Sequence, residues 1–262
     1  MKTTYLLLSS ALLLGCVSAC NTSGQKSKEM KTDDGSITTV ETAGSKLTIC
    51  DLSLVKDTIE VPLSEFVEDC CIVPFETSEE AYFKAWFINA TDNYIGIRQG
   101  DRGVFKLFDR NGKFLYNVGS VGSGPGEYDT TLYDECIDEK NGHIFFTPFV
   151  GKRIMMYDIN GQWIKDIQLP IQVNKPKIWV NEDGSLSIIH MPFNEGEPLA
   201  FQMDTDGNIL KQIPATAATK VMNFDGEIFS YRNCNDFDFF HTSIDTLFTY
   251  DEQNPLDKEV MA

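Results

Sequence analysis

Residues 157–163 read Tyr-Asp-Ile-Asn-Gly-Gln-Trp, and the same template stands in FDRNGKF (Phe108–Phe114) and MDTDGNI (Met203–Ile209). A looser copy is YDEQNPL (Tyr250–Leu256), with Asn254 in the glycine slot. Each runs apolar, Asp, any residue, usually Asn or Asp, Gly, any residue, apolar. The aspartates fall at 109, 158, 204 and 251, in steps of 49, 46 and 47 residues. So regular a step marks a repeat architecture. The template itself reads as a hairpin. Asp109 opens a type I turn, Asn111 takes its third position, and Gly112 supplies the left-handed residue that lets the strands re-pair. Asn254 is the side-chain-bearing residue best suited to that conformation. Phe114 to Val118 then forms the returning strand.

A second turn signal precedes each template by 16 to 26 residues: Asp92-Asn93, Asn141-Gly142, Asp183-Gly184 and Asp225-Gly226. Short β-rich runs follow them (YIGI, HIFF, SLSII, EIFSY), so each repeat holds two hairpins and four strands. For the second repeat these are Leu132–Asp138, His143–Phe149, Arg153–Asp158 and Gln162–Leu169. No helix of ten or more residues fits between them. Four short antiparallel strands cannot bury both faces alone. Stacking such sheets radially, face to face, buries them, which is the β-propeller solution. The expected fold is all-β, a propeller of four-stranded antiparallel blades.

The stretch Gly119–Ile167 resembles an NHL-type propeller repeat, and also the six-bladed β-propeller lipoproteins of Bacteroidetes. The resemblance rests on Gly119, Gly122, Gly124-Pro125-Gly126-Glu127-Tyr128, Asp138 with Gly142, Arg153-Ile154, Tyr157-Asp158 and Gly161. IVPFET (Ile72–Thr77) is similar to the opening strand of those lipoproteins, which completes their last blade. The likeness covers roughly residues 57–262. The family implies six blades, whereas about four are read here. The expectation is a shortened member, not assumed to be a closed ring; a truncated product, or a partner over the open edges, are the alternatives.

The N-terminus carries Lys2, an apolar run from Tyr5 to Gly15 and the small residues Val17-Ser18-Ala19 before Cys20. The run is too short to span a bilayer comfortably but suits a signal-peptide core. Residues 1–20 thus read as a lipoprotein signal peptide with lipid attachment at Cys20, and Leu13-Leu14-Gly15-Cys16 as a competing site. An ordinary secretory signal is the plainer alternative. Residues 21–50, rich in Ser, Thr, Gly and Lys over most of their length, read as a flexible tether. Residues 51–262 read as the propeller, with one helical turn near Leu63–Val67. Cys50, Cys70, Cys71, Cys136 and Cys234 match no zinc spacing. Most are expected as buried apolar filler, and Cys50 with Cys70 as a candidate disulfide. With 22 Lys+Arg against 39 Asp+Glu, the net charge is −17, which disfavours nucleic acid and anionic membrane surfaces.

Candidate sites are few. Gly119 to Tyr128 offers backbone N–H groups that could cradle an anion, with Glu127 and Tyr128 beside them. It has no Lys followed by Ser or Thr, so it is no P-loop, and a crossing between blades explains its glycines equally. Asp109, Asn111, Asp204 and Asp206 suggest calcium, but the further oxygen ligands and closing Glu are missing. His143, His190 and His241 suggest the channel metal of NHL-type lyases, yet the first two fall on expected second strands. Trp86, Phe87, Trp163 and Trp179 suit either a sugar platform or a sheet-to-sheet core. Asn235-Asp236-Phe237-Asp238-Phe239-Phe240 alternates acid and aromatic where a blade loop should lie, so Asp236, Phe237 and Asp238 form a candidate binding loop. No catalytic constellation appears. The expected function is a cell-envelope lipoprotein, outer-membrane-anchored through its lipid, binding a protein, peptide or glycan without a cofactor. A metal-dependent lyase or hydrolase using calcium or zinc is the alternative.

Overall fold

A computed structural model describes residues 29–31, 35–42, 45–58, 60–100, 102–217, 219–231, 237–241, 246–250 and 258–261. The chain divides into two compact units, Met1–Pro62 and Leu63–Ala262. In the first, β1 (Glu29–Lys31), β2 (Ile37–Thr42) and β3 (Ser45–Cys50) form an antiparallel sheet in that order. A tether was the expectation for this stretch. The alternating Ile37, Thr39 and Leu47, Ile49 positions suit a strand pair, which the surrounding Ser and Thr obscured. Asp51 caps the short turn Leu52–Leu54, accepting from the Ser53 backbone at 3.0 Å and its hydroxyl at 2.6 Å. Those bonds hold the Asp51 carboxyl below its ordinary range.

The second unit is the propeller. A 3-10 turn at Leu63–Glu65 stands where one helical turn is expected. The first blade is β4 (Ala85–Ala90), β5 (Tyr94–Gln99), β6 (Phe105–Asp109) and β7 (Phe114–Val118). A parallel pair, β8 (Ser120–Val121) and β9 (Glu127–Tyr128), makes the crossing to the second blade. That blade is β10 (Leu132–Asp138), β11 (His143–Pro148), β12 (Val150–Asp158) and β13 (Trp163–Asn174). The third holds β14 (Lys177–Val180), β15 (Leu186–Ile189), β16 (Pro198–Met203) and β17 (Ile209–Pro214). The fourth holds β18 (Ile228–Tyr231), β19 (Phe237–His241), β20 (Thr246–Tyr250) and β21 (Lys258–Met261). Every blade is an antiparallel meander with its strands in sequence order.

Period-two alternation sorts side chains into separate cores. Ile144, Phe146, Met155 and Tyr157 pack with Phe105 and Leu107 of the first blade. Their neighbours Phe145, Ile154 and Met156 pack instead with Leu186, Ile188 and Phe201 of the third. The other face of the first blade, through Ile95, Ile97 and Phe108, meets Val73, Phe75, Ala81 and Phe83. Each of the first three blades therefore supplies one wall of two cores, as stacked repeats do.

The repeated template is a hairpin tip wherever it is described. Asp109 Oδ1 accepts from the Asn111 and Lys113 N–H groups at 2.8 and 3.0 Å. Asp158 does the same for Asn160 and Gln162, and Asp204 for Asp206 and Asn208. Gly112, Gly161 and Gly207 have φ of 81°, 81° and 95°. These aspartates serve the turn, as the hairpin reading of the template expects. The fourth copy lies outside the described residues beyond Tyr250.

Each tip rests on what precedes it. A methyl group on Gly207 would stand 2.6 Å from the Gln168 carbonyl of β13, and one on Gly161 3.3 Å from the Asn117 carbonyl of β7. On Gly112 it would overlap the Pro74 carbonyl. Ile72–Thr77 forms no sheet strand, contrary to expectation. Its Pro74 backbone nevertheless occupies, for the first blade, the place that β7 and β13 hold for the next two. The Glu76 N–H donates to the Gly112 carbonyl at 2.8 Å. Gly112→Ala, strained at positive φ and blocked by backbone, is expected to lower the unfolding free energy by about 1–2 kcal/mol, read from a urea midpoint. An unchanged midpoint would mean that the Pro74 contact does not hold.

Two further expectations are corrected. Asp225-Gly226 precedes β18, the first strand of the fourth blade, and so does not turn between first and second strands. EIFSY reads as a second strand because no turn dipeptide marks the true connection. Cys50, Cys70 and Cys71 are exposed, not filler, and Cys50 and Cys70 carry free thiols. Among the described cysteines, only the half-buried Cys136 packs against a core.

Candidate ligand-binding cleft on the channel side

The first strands of the first three blades, β4, β10 and β14, lie side by side, as a propeller's channel strands do. Between them opens a cleft of about 780 Å³. Its chemistry centres on Tyr133-Asp134-Glu135 in β10, three successive residues that reach three different parts of the unit.

Glu135 reaches the first blade. Its Oε2 accepts from Arg98 Nε of β5 at 2.6 Å, and Arg98 Nη1 donates to the Leu132 carbonyl at 3.1 Å. Arg98 and Glu135 are 2% and 3% exposed, so this ion pair is desolvated on both sides. Asp134 reaches the third blade, accepting from the Ile178 N–H at 2.8 Å, with Lys177 Nζ 3.9 Å away. Tyr133 reaches the segment before the fourth blade, donating its hydroxyl to Glu227. Glu227 also pairs with Lys175 Nζ at 2.6 Å, and Lys175 donates to the Phe224 and Gly226 carbonyls. Burial first, then the Glu227 carboxylate, pushes the Tyr133 phenol well above its ordinary range, so it stays protonated.

Aromatic rings complete the cleft. The Arg98 guanidinium lies 4.2 Å from the Phe87 centroid and 5.8 Å from that of Trp86. Lys177 Nζ lies 4.8 Å from the Tyr133 centroid. Phe87 and Trp86 remain 46% and 54% exposed. At the rim, Glu139 ties the blades together, accepting from the Asn93 N–H at 2.9 Å, from its side-chain amide at 2.7 Å, and from Thr91. Burial alone would raise the Glu139 carboxyl, but those bonds outweigh it and hold it low.

The residues singled out by sequence fall elsewhere. Tyr128 is 1% exposed, its hydroxyl donating to the Val118 carbonyl and accepting from the Phe105 N–H, so it belongs to the core. Glu127 fills its own glycine loop: its Oε2 accepts from the Gly124 N–H at 2.7 Å, where an anion would have to sit. Arg153 clamps the crossing, bonding the Glu127 carbonyl, Asp129 and Asp166. Tyr157 donates to the Gly126 carbonyl at 3.1 Å. The motif residues behind the resemblance thus staple one blade to the next. Phe237 and Asp238 lie on β19, paired with Tyr250 and with Tyr231 and Thr249, so the expected binding loop is a strand. Asp236 and Cys20 lie outside the described residues, as does Cys234.

The four aromatics do not converge on one platform. Trp86 and Phe87 adjoin each other at 5.9 Å, Trp179 packs beside Ile189 and Met191, and Trp163 stays exposed near Gly126. Trp86, Phe87 and Trp163 are therefore not the sheet-to-sheet core they were expected to be. His143 opens β11, and His190 follows β15 in full burial. Among the described residues, no three His, Cys, Asp or Glu side chains gather closely enough to hold a metal ion. Sequence reading missed Arg98, Asp134, Glu135 and Lys177. The available signal was an Asp-Glu pair inside LYDECID, a strand with core on both sides.

Comparison with known proteins agrees with the fold. A family model described as a domain of unknown function, DUF4934, matches residues 47–260. A protein of Bacteroides fragilis classed as exported superposes with a TM-score of 0.59 at 16% identity, over 72% of this chain and 53% of that one. This chain therefore spans about half the length of that structure. Virginiamycin B lyase of Staphylococcus aureus aligns at 14% identity and a TM-score of 0.48, over 89% and 68% of the two chains. A DUF4221 member from Bacteroides vulgatus aligns at 12% and 0.48, over 72% and 61%. No curated protein matches the sequence.

Proposed function

We propose, since the chain belongs to the DUF4934 family, that it is a binding propeller of the cell envelope, held on the outer membrane by a lipid on Cys20. The channel cleft is its ligand site. One observation carries this reading: half-exposed Phe87 stands over a buried, paired set of charges, a rigid floor with an accessible ring. A pre-formed concave surface with a few fixed polar groups is the usual form of a ligand site. The floor offers no nucleophile–base pair: Tyr133 is locked protonated, and Asp134 and Glu135 are committed to Lys177 and Arg98. Binding of a protein, peptide or glycan therefore fits better than turnover. In this reading the whole family fold has six blades, of which this chain carries four.

Detergent phase partition tests the anchor. Wild-type protein expressed in a Bacteroides host is expected in the detergent phase, and Cys20→Ala in the aqueous phase. A Cys20→Ala protein that still partitions with detergent would refute lipidation at that residue. Loss of ligand capture from envelope extracts in Phe87→Ala, with folding unchanged, tests the site. Equal capture by both proteins would place the site elsewhere.

A further inference from the structure

The cleft's charges sort into two sets. On the floor, Arg98 with Glu135 and Lys177 with Asp134 cancel each other. At the rim stand Asp92, Asp138 and Glu139 against Lys140. Asp138 accepts from the amide groups of Asn141, and Glu139 from Thr91, Asn93 and the Tyr94 backbone, all neutral donors that leave a carboxylate's charge in place. Lys140 turns its ammonium to the Glu182 carbonyl at 3.2 Å. The field at the mouth is therefore negative, in a protein whose net charge is −17.

The rings add a second, independent observation. Phe87 already receives the Arg98 guanidinium at 4.2 Å and the Lys177 ammonium at 5.7 Å. Phe87 thus already takes part in cation–aromatic contacts, and about half of its surface remains open to another. The rim carboxylates do not cluster tightly enough to hold a metal ion. A spread-out organic cation suits them better. We infer that the cleft takes a basic peptide, an arginine or lysine side chain entering past Asp92 and Asp138 to lie over Phe87. This deepens the binding role proposed above and rests on it.

The test is isothermal titration of the full chain with three probes: acetyl-Arg-Gly-Arg-amide, acetyl-Glu-Gly-Glu-amide and maltotriose. The arginine peptide is expected to bind, and the other two not. The Asp92→Asn/Asp138→Asn variant and the Phe87→Leu variant should each weaken it about tenfold. Both changes lie at the exposed mouth, and circular dichroism checks that each variant is folded. Binding of the glutamate peptide or the sugar, lost in Phe87→Leu, would overturn the cationic ligand but keep the cleft as a site. Arginine-peptide binding that no variant alters would overturn both. No binding by any probe would overturn the inference of a basic peptide.

Discussion

Glu135→Ala is expected to lower the unfolding free energy by about 3–5 kcal/mol, measured by urea denaturation near neutral pH. The substitution removes little apolar contact. Its cost comes from Arg98, which would be left buried with one carbonyl and the Phe87 and Trp86 rings as its described partners. A buried guanidinium stripped of its carboxylate loses Coulomb energy and cannot recover hydration without opening the first blade from the second. The double change Arg98→Met/Glu135→Leu separates this cause from a packing defect. It removes both charges and fills similar volume, so its stability should return to within about 1–2 kcal/mol of wild type. If the double variant is as unstable as Glu135→Ala, the pair is not the source of the loss. The same experiment speaks to function, since a pair so costly to break and so easy to replace contributes little to stability. What it contributes is a fixed floor beneath Phe87.

The blades were legible in the sequence because they follow local rules. An Asx turn with glycine in the left-handed slot is dictated by five adjacent residues, so the tips at 109–112, 158–161 and 204–207 could be placed by reading alone. The second-blade strand Leu132–Asp138 also stands as expected, bounded by turn residues on its C-terminal side. Where the punctuation is missing, the reading fails. The fourth blade's first connection has no turn dipeptide, so EIFSY reads one strand too late and the Phe237 run reads as a loop. The cleft was hidden for a different reason. Arg98 and Glu135 are 37 residues apart, and Lys177 and Asp134 meet only because β10 and β14 are neighbouring channel strands. Such pairs are products of the stacking, which period-two patterns do not encode beyond which face a residue takes. The motif residues Glu127, Tyr128, Arg153 and Tyr157 drew attention as a recognisable set, yet each is consumed in holding blades together.

Acidification is expected to weaken the fold in a window set by His190. This side chain is 0% exposed, packs edge-on to Phe201, and has no hydrogen-bond partner for either ring nitrogen. Burial pushes its pKa from 6.5 down to about 4, and the nearby Pro198 and Met191 backbone and Glu197 carboxylate offset this only in part. The folded state therefore resists a proton that the unfolded chain accepts. Stability from this group is full above about pH 6.5 and is lost as the pH falls toward 4, by a total on the order of 3 kcal/mol. The carboxyls of Asp51, Asp204 and Glu197 are held below their ordinary values, so their protonation lies at or beyond the lower end of that window. His190→Met keeps the volume and removes the titration. Between pH 6.5 and 4.5, its urea midpoint should stay nearly flat while that of wild type falls. Parallel curves for the two proteins would show that some other group governs the acid limb. The ring packs on Phe201, in the core that the second and third blades share, so the wild-type loss should begin at that seam. Hydrogen exchange at pH 5 is expected to show Leu186–Ile189 opening before the Phe105–Phe146 core between the first two blades.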